Sequence, residues 1–524
     1  MEIYSHLVEI SGALLLILFL YKLRWLIDHR HRGKSVLPPE PRVALPIIGH
    51  LHLLGAERTF ARTLAAIADR CGPIFMIWLG VHRTVVVSNS ETVKECFTTN
   101  DRVLASRPRS SHGKYLSYNY AAFGFLPANA FWSHIRKLVM IQLLSSHRLK
   151  SLRHVQVSEV NSLIQDWYLL CDSNQGQAKV VISESLDRLT INMITRMIAG
   201  KRYFGSYVAG NEGEGKRIGE LIKEYLYISG VLVPSDLIPF LGWMNYFTGP
   251  VKVMKRLSRE LDDLMDSWIE EHKLKRLKNQ DTDNREDFID VMLSAIEDDC
   301  IFGHSRETII KGTISTLIVA GAETTSIALT WMLANLLNSR HTLEKVQEEL
   351  DLEVGRERLV EDSDISNLKY LQAVVKETLR LYPPGPTAVP HEAIEDCYIG
   401  GYHIPKGTRV FANLWKLHRD PNIWSNPDKF MPERFLTEET GAVDVFGQHF
   451  ELIPFGSGRR SCPGITFALQ VLHLALARIL QGFSITTPMN KAVSMTEGLG
   501  ITLVKATPLE AQIVPRLGAR FYEC

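Results

Sequence analysis

The sequence predicts an α+β fold with helices in the majority, on three observations. Long stretches of amphipathic period cover most of the chain. A β-branched run at residues 74–88 contains a Gly-Val-His-Arg turn and reads as a hairpin. Short alternating segments at 402–404 and 408–411 flank the turn signals Gly400-Gly401 and Lys406-Gly407. No internal repeat or low-complexity tract interrupts this pattern.

Taken in order, the chain opens on a nearly continuous apolar run at 10–21, which extends to Ile27 if Lys22 and Arg24 snorkel toward headgroups. Glu2 precedes it and Lys22, Arg24, Arg30, Arg32 and Lys34 follow, the reverse of a cleaved leader. Residues 1–34 therefore read as a membrane anchor with a basic flank, leaving the rest of the chain in the cytosol. Pro38, Pro39, Pro41 and Pro46 cannot continue a helix, so 35–50 reads as a stiff hinge. No later break of that kind appears, and 51–524 reads as one folded domain. After the hairpin a helix is predicted near 91–98, followed by helices at 161–171, 182–198, 251–278, 286–298, 306–338, 343–354 and 368–382. The polar stretch 281–286 reads as an exposed loop.

With 524 residues, 45% of them hydrophobic, the chain can bury a large core. A net charge of +1 gives no nucleic-acid footprint. Seven cysteines are scattered without CxxC pairs, which argues against a disulfide framework and a zinc site and favours a reducing compartment.

One cysteine stands apart. Phe455-Gly456-Ser457-Gly458-Arg459-Arg460-Ser461-Cys462-Pro463-Gly464 sets it among glycines and arginines before an apolar helical segment. Unpaired N–H groups at a helix start favour thiolate over thiol, so Cys462 is a candidate metal ligand. Gly458 and Gly464 permit tight turns and close approach of a flat cofactor, Arg460 can pair with a cofactor carboxylate, and Phe455 can shield the sulfur. A glycine-rich turn around a buried cysteine is the competing reading. A phosphate loop is disfavoured because the Gly-Lys-Ser/Thr ending is absent.

A second group lies mid-helix in 306–338, where Ala320-Gly321-Ala322-Glu323-Thr324-Thr325 puts a carboxylate and two hydroxyls into an apolar segment. Burying them is costly unless they have partners or a task. A threonine bonding back one turn, with a glutamate reaching a core arginine, is the plain alternative. A third group is Glu377 with Arg380, on one helix face at i,i+3 before Pro383-Pro384. Trp132 and Arg136 are likewise one turn apart.

The pattern Phe-x-x-Gly-x-Arg-x-Cys-x-Gly resembles the heme-binding loop of the cytochromes P-450, and Ala-Gly-x-Glu-Thr-Thr resembles their oxygen-binding helix. The resemblance runs from the anchor to the C-terminus, and segments such as 236–243 and 449–455 are similar to plant A-type enzymes of family 82. It implies that fold, with a small β-rich subdomain and an N-terminal transmembrane helix. It implies heme b with Cys462 as iron ligand, Arg460 and Trp132-x-x-x-Arg136 at the propionates, and His391 at the place of a propionate-binding residue. Gly321 would make room for dioxygen, Thr324 position it and Glu323 feed protons. Glu377, Arg380 and Arg434, in Pro432-Glu433-Arg434-Phe435, would form a structural triad beneath the heme. Phe131-Trp132-Ser133 departs from the usual Tyr-Trp-Arg and removes one expected cation.

By the same resemblance the enzyme is a monooxygenase of the endoplasmic reticulum membrane, fed electrons from NADPH by NADPH-cytochrome P-450 reductase. It would hydroxylate a lipophilic plant specialised metabolite, a terpenoid, flavonoid, coumarin or alkaloid. The pocket would be lined by 109–125, the helix around Ala320, 385–389 and 497–502. A reductase-independent heme-thiolate isomerase or dehydratase and a membrane-tethered heme sensor are the competing functions.

Overall fold

The computed structural model describes Gly12 and residues 36–523, apart from 56–57, 206–211, 247–248, 279–285, 298–299 and 439. The expected anchor, and all of the expected loop 281–286 except Glu286, lie outside the described residues.

The principal helices are α1 (Phe60–Cys71), α2 (Ser90–Phe97), α3 (Ala130–Leu138), α4 (Arg153–Asp172), α5 (Ile182–Ala199), α6 (Glu212–Gly230), α7 (Gly249–Leu277), α8 (Phe288–Ala295), α9 (Arg306–Asn338), α10 (Arg340–Glu353), α11 (Lys369–Leu381) and α12 (Ile465–Gly482). The strands are β1 (Ile74–Leu79), β2 (His82–Val87), β3 (Ala178–Val181), β4 (His391–Glu392), β5 (Cys397–Ile399), β6 (Tyr402–Ile404), β7 (Arg409–Ala412), β8 (Phe483–Thr486) and β9 (Glu510–Pro515).

Helix α9 is the axis of the molecule. Ser305 caps its start by accepting from Thr308 N–H, and apolar residues on every face bury it against α5, α6, α11 and α12. It and α12 are the two described helices long and apolar enough to cross a membrane, and both are mostly buried in the core. Helix α11 ends at its C-cap Tyr382, before the prolines.

The hairpin pairs in the register Phe75↔Val86, and β7 joins β2 in parallel with Val85↔Val410. The full order is β1-β2-β7-β4. A second sheet, in the order β8-β9-β3, ties the C-terminus to α4 and α5. The proline-rich stretch is docked on the first sheet: Met76 N–H donates to Pro39 O at 2.8 Å and His50 N–H to Trp78 O at 2.8 Å. Expected to be a spacer, from Val36 onward it is part of the folded body.

Candidate active site

The loop at 455–464 is a closed turn. Cys462 N–H donates to Phe455 O at 2.9 Å, and Ser457 Oγ donates to Gly447 O at 2.6 Å. Gly456 and Gly458 have φ of 70° and 67°, in the left-handed region. A Cβ on Gly458 would also stand 2.3 Å from Asp101 Oδ1, whose carboxylate accepts from Arg459 N–H at 2.9 Å. Gly464 has ordinary backbone angles, and a Cβ there would lie 3.8 Å from Cys462 Sγ.

The low-pKa thiol expected at this helix start is not what the polypeptide provides. Burial pushes the Cys462 thiol up, opposed by the Gly464 N–H and the charge of Arg136. The loop enters α12 two residues after the cysteine, and desolvation outweighs the helix field. Coordination to a metal is what deprotonates such a thiol at neutral pH.

Beside the loop lie three arginines. Arg460 spreads over the Trp132 ring at 4.0 Å and donates to Ala105 O and Leu126 O, each at 2.6 Å. Arg136 donates to Ser461 O at 2.7 Å. Arg107, absent from the sequence reading, donates to Val389 O at 2.5 Å and Pro390 O at 2.9 Å. Its buried Nε has no partner, and none of the three is ion-paired among the described residues. Burial first, then mutual repulsion, pulls Arg107 down to about 9 and Arg460 to about 8. His391 completes the group as a neutral ring, its Nδ1–H donating to Leu104 O at 2.7 Å and its pKa held well below the usual value by burial. Uncompensated buried cations demand anions, and a planar cofactor with two carboxylates, such as heme, meets that demand beside a thiol. Ser133 is exposed and bonds back to Asn129 O, so the departure from Tyr-Trp-Arg leaves this cluster intact.

On α9, Glu323 is largely buried, with Oε2 unpartnered among the described residues. Burial, then the charge of Asp187, pushes its carboxyl up to about 7, against the pull of Lys223 and the Thr502 hydroxyl. Thr324 Oγ1 donates to Ala320 O at 2.5 Å, which leaves its lone pairs free to accept. A Cβ on Gly321 would meet Ile194 Cδ1 of α5 at 3.0 Å, so its absence lets α9 and α5 pack closely. Ala320 is exposed, Gly321, Glu323 and Thr324 are half-buried, and Ala322 and Thr325 are buried.

Glu377 and Arg380 are fully buried and bidentate, at 2.7 and 2.9 Å, and Arg434 Nε joins Glu377 at 3.1 Å. Arg380 also donates to His418 O at 2.7 Å, and His418 Nε2 accepts from Ile453 N–H at 3.1 Å. Through His418, which no sequence pattern flagged, the triad reaches the residues leading into the cysteine loop.

A cavity of about 350 Å³ opens between the first sheet, 229–233 and 499–503. Arg109, Phe125, Val389 and Thr502 line it, from three of the four segments expected from the sequence, whereas the helix around Ala320 contributes no lining residue. Glu497 does not: it is clamped by Arg62 at 2.6 and 2.9 Å and by Trp415 Nε1 at 3.0 Å. Segments near Phe60, 229–233 and Phe411 were missed, because distant chain segments converge there.

The cytochrome P450 family model matches residues 38–512. Cytochrome P450 CYP82J17 of Trigonella foenum-graecum is 51% identical over 94% of this chain and 94% of its own. Vinorine hydroxylase of Rauvolfia serpentina is 45% identical over all of both chains, and xanthotoxin 5-hydroxylase CYP82C2 of Arabidopsis thaliana 47% over 94% and 95%. Among solved structures, a zebra fish cytochrome P450 with progesterone superposes with a TM-score of 0.72 at 26% identity, covering 87% of this chain and 99% of that one. The chain belongs to the cytochrome P450 family, as a plant monooxygenase with heme b as cofactor and a reductase as its electron source.

Proposed function

We propose that this enzyme uses NADPH-derived electrons and dioxygen to hydroxylate a lipophilic specialised metabolite, a flavonoid, coumarin, alkaloid or terpenoid. Relatives named for flavonoids, xanthotoxin, vinorine and strychnine support the first three of these. The observation that carries the reading is Glu323, a buried acid poised near pH 7 beside a hydroxyl with free lone pairs.

Heme held by Cys462, with Arg107, Arg136, Arg460 and His391 around its carboxylates, supplies oxygen activation when bound. The chain's own residues then manage protons and water. Glu323 gives up its proton near neutrality and regains it through the polar neighbours Asp187 and Lys223, which reach the surface. Thr324, its own proton committed to Ala320 O, accepts a hydrogen bond and holds the incoming donor in register. Apolar walls exclude bulk water, which would divert reducing power into peroxide.

Thr324→Ala is expected to raise peroxide release per NADPH several-fold at the expense of product; equal coupling removes Thr324 from proton delivery. A pH profile tests Glu323. Its folded pKa lies well above the ordinary carboxyl value, so the proton-bearing form dominates below about 7 and is lost as pH rises through it. Product per NADPH should fall across that window in the native enzyme and stay flat in Glu323→Gln. A parallel decline in both enzymes would assign the titration elsewhere.

The anchor reading places the enzyme on the endoplasmic reticulum with its catalytic body in the cytosol. Exposed Leu232, Phe240 and Trp243 support that seating, because the turn carrying Leu237 and Leu241 packs against Ile47, Ile48, Leu51 and Leu54, in the stretch that follows the anchor in sequence.

A further inference from the structure

We propose that Asp101 is a positioning residue for the cysteine ligand: it clasps the turn that presents Cys462, and its negative charge opposes uptake of an electron at the iron. The proposal rests on the reading of Cys462 as the iron ligand and adds a residue that no sequence pattern flagged.

Geometry gives the first argument. Asp101 Oδ1 accepts from Arg459 N–H at 2.9 Å, and Oδ2 lies 3.3 Å from Arg459 Nε. The contact is close enough to exclude a side chain at Gly458, where a Cβ would also stand 3.0 Å from Phe97 O at the end of α2. Cys462 N–H closes the same turn on Phe455 O, so Asp101 grips one side of a closed turn whose other side carries the sulfur. Groups that hold a ligand's own scaffold orient that ligand and tune the metal it binds.

Asp101 is itself fixed. Its N–H donates to Thr98 O at 3.3 Å, Leu104 N–H donates to Asn100 O at 2.9 Å, and Asn100 Nδ2 donates to Tyr398 O of β5 at 2.7 Å. The segment then continues to the cationic side of the site. Leu104 O accepts from His391, Ala105 O accepts from Arg460, and Arg107 follows. Residues 101–107 thus bind both the cysteine turn and the cationic group, and hold the two in register.

Charge gives the second argument. Among the described residues, Asp101 is the acid ion-paired to the turn at 455–464. The charges of Cys462 and Asp101 both act on the Arg136 guanidinium, so the two anions share one neighbour. A fixed anion makes addition of an electron nearby less favourable, and a fixed cation makes it more so. Arg459 offsets Asp101 only in part, because its side chain is 58% exposed and screened by solvent, against 21% for Asp101. Removing either charge therefore shifts electron uptake, and the two shifts have opposite sign. A clasp that served shape alone would give shifts of one sign or none.

The test is a dye-mediated dithionite titration of the full-length holoenzyme, with no reductase present, so that docking plays no part. It reads the ratio of reduced to oxidised heme at a fixed potential. Asp101→Asn keeps an acceptor for Arg459 N–H but loses the charge, and should raise that ratio about three- to tenfold at a near-native melting temperature. Asp101→Glu should restore most of the native ratio, and Arg459→Gln should lower it about twofold. Asp101→Ala also loses the acceptor, and should speed amide exchange at Arg459 about tenfold or more. An unaltered ratio in Asp101→Asn, or shifts of the same sign in Asp101→Asn and Arg459→Gln, overturns the proposal. Native exchange at Arg459 in Asp101→Ala overturns it as well. Should Asp101→Asn not load heme, Arg459→Gln decides, and a ratio at or above native in that variant overturns the proposal. Failure of the ligand reading looks different: Cys462→Ser then keeps the native band of the reduced carbon monoxide complex, whatever the ratios in the Asp101 variants.

Discussion

Replacing Cys462 by serine should abolish the red-shifted Soret band that a thiolate ligand gives the reduced carbon monoxide complex, while leaving the polypeptide folded. A serine hydroxyl does not ionise near neutral pH, and burial that already pushes the cysteine thiol up would penalise an alkoxide more. The bonds that shape the loop do not use the sulfur. Cys462 N–H to Phe455 O, Ser457 Oγ to Gly447 O, Arg136 to Ser461 O and Arg459 N–H to Asp101 all survive the exchange. Circular dichroism and melting temperature should therefore stay near the native values while the spectrum changes. An unchanged band in Cys462→Ser would move the ligand to another residue.

How much of this was legible beforehand follows from how local each signal is. Helix α9 was read with both ends correct, because its long, mostly apolar run is contiguous in sequence. The cysteine loop was legible for the same reason. Glu377 with Arg380 was visible as an i,i+3 pair, but its burial and its bond to Arg434 are tertiary facts that only the family resemblance suggested. Arg107 and His418 left no pattern at all: each is a single residue in an aperiodic stretch, acting largely through backbone groups. At Gly321 a missing Cβ signals close approach without saying of what, and the structure adds Ile194 of α5 as a neighbour that no local pattern names. Glu497 was misplaced because its partner Arg62 lies at the other end of the chain. The parallel pairing of β2 with β7 and the short β3 are equally nonlocal, and hydrophobic alternation specifies neither partner.

Glu377→Gln is the second change with a large expected effect, and it acts on the site without touching it. The carboxylate neutralises one buried arginine directly and shares itself with a second, while also accepting from Met431 N–H at 2.9 Å. Removing its charge strands Arg380 and Arg434 in a place that excludes water, at a cost of about 3–5 kcal/mol. Their remaining bonds run to the carbonyls of His418, Pro427, Lys429 and Ser425, so relaxation of either side chain pulls on that whole segment. His418 transmits the pull. Its pKa is held down to about 3 by burial and by Arg380, so Nε2 stays a bare acceptor for Ile453 N–H, and Ile453 O in turn receives Gly456 N–H at 2.8 Å. Loss of the triad should thus lower the melting temperature and loosen the cysteine loop together, giving a heme-to-protein ratio well below native. Glu377→Asp keeps the charge but shortens the reach, and should fall between the two. Full heme content and an unchanged melting temperature in Glu377→Gln would show that the loop stands without the triad.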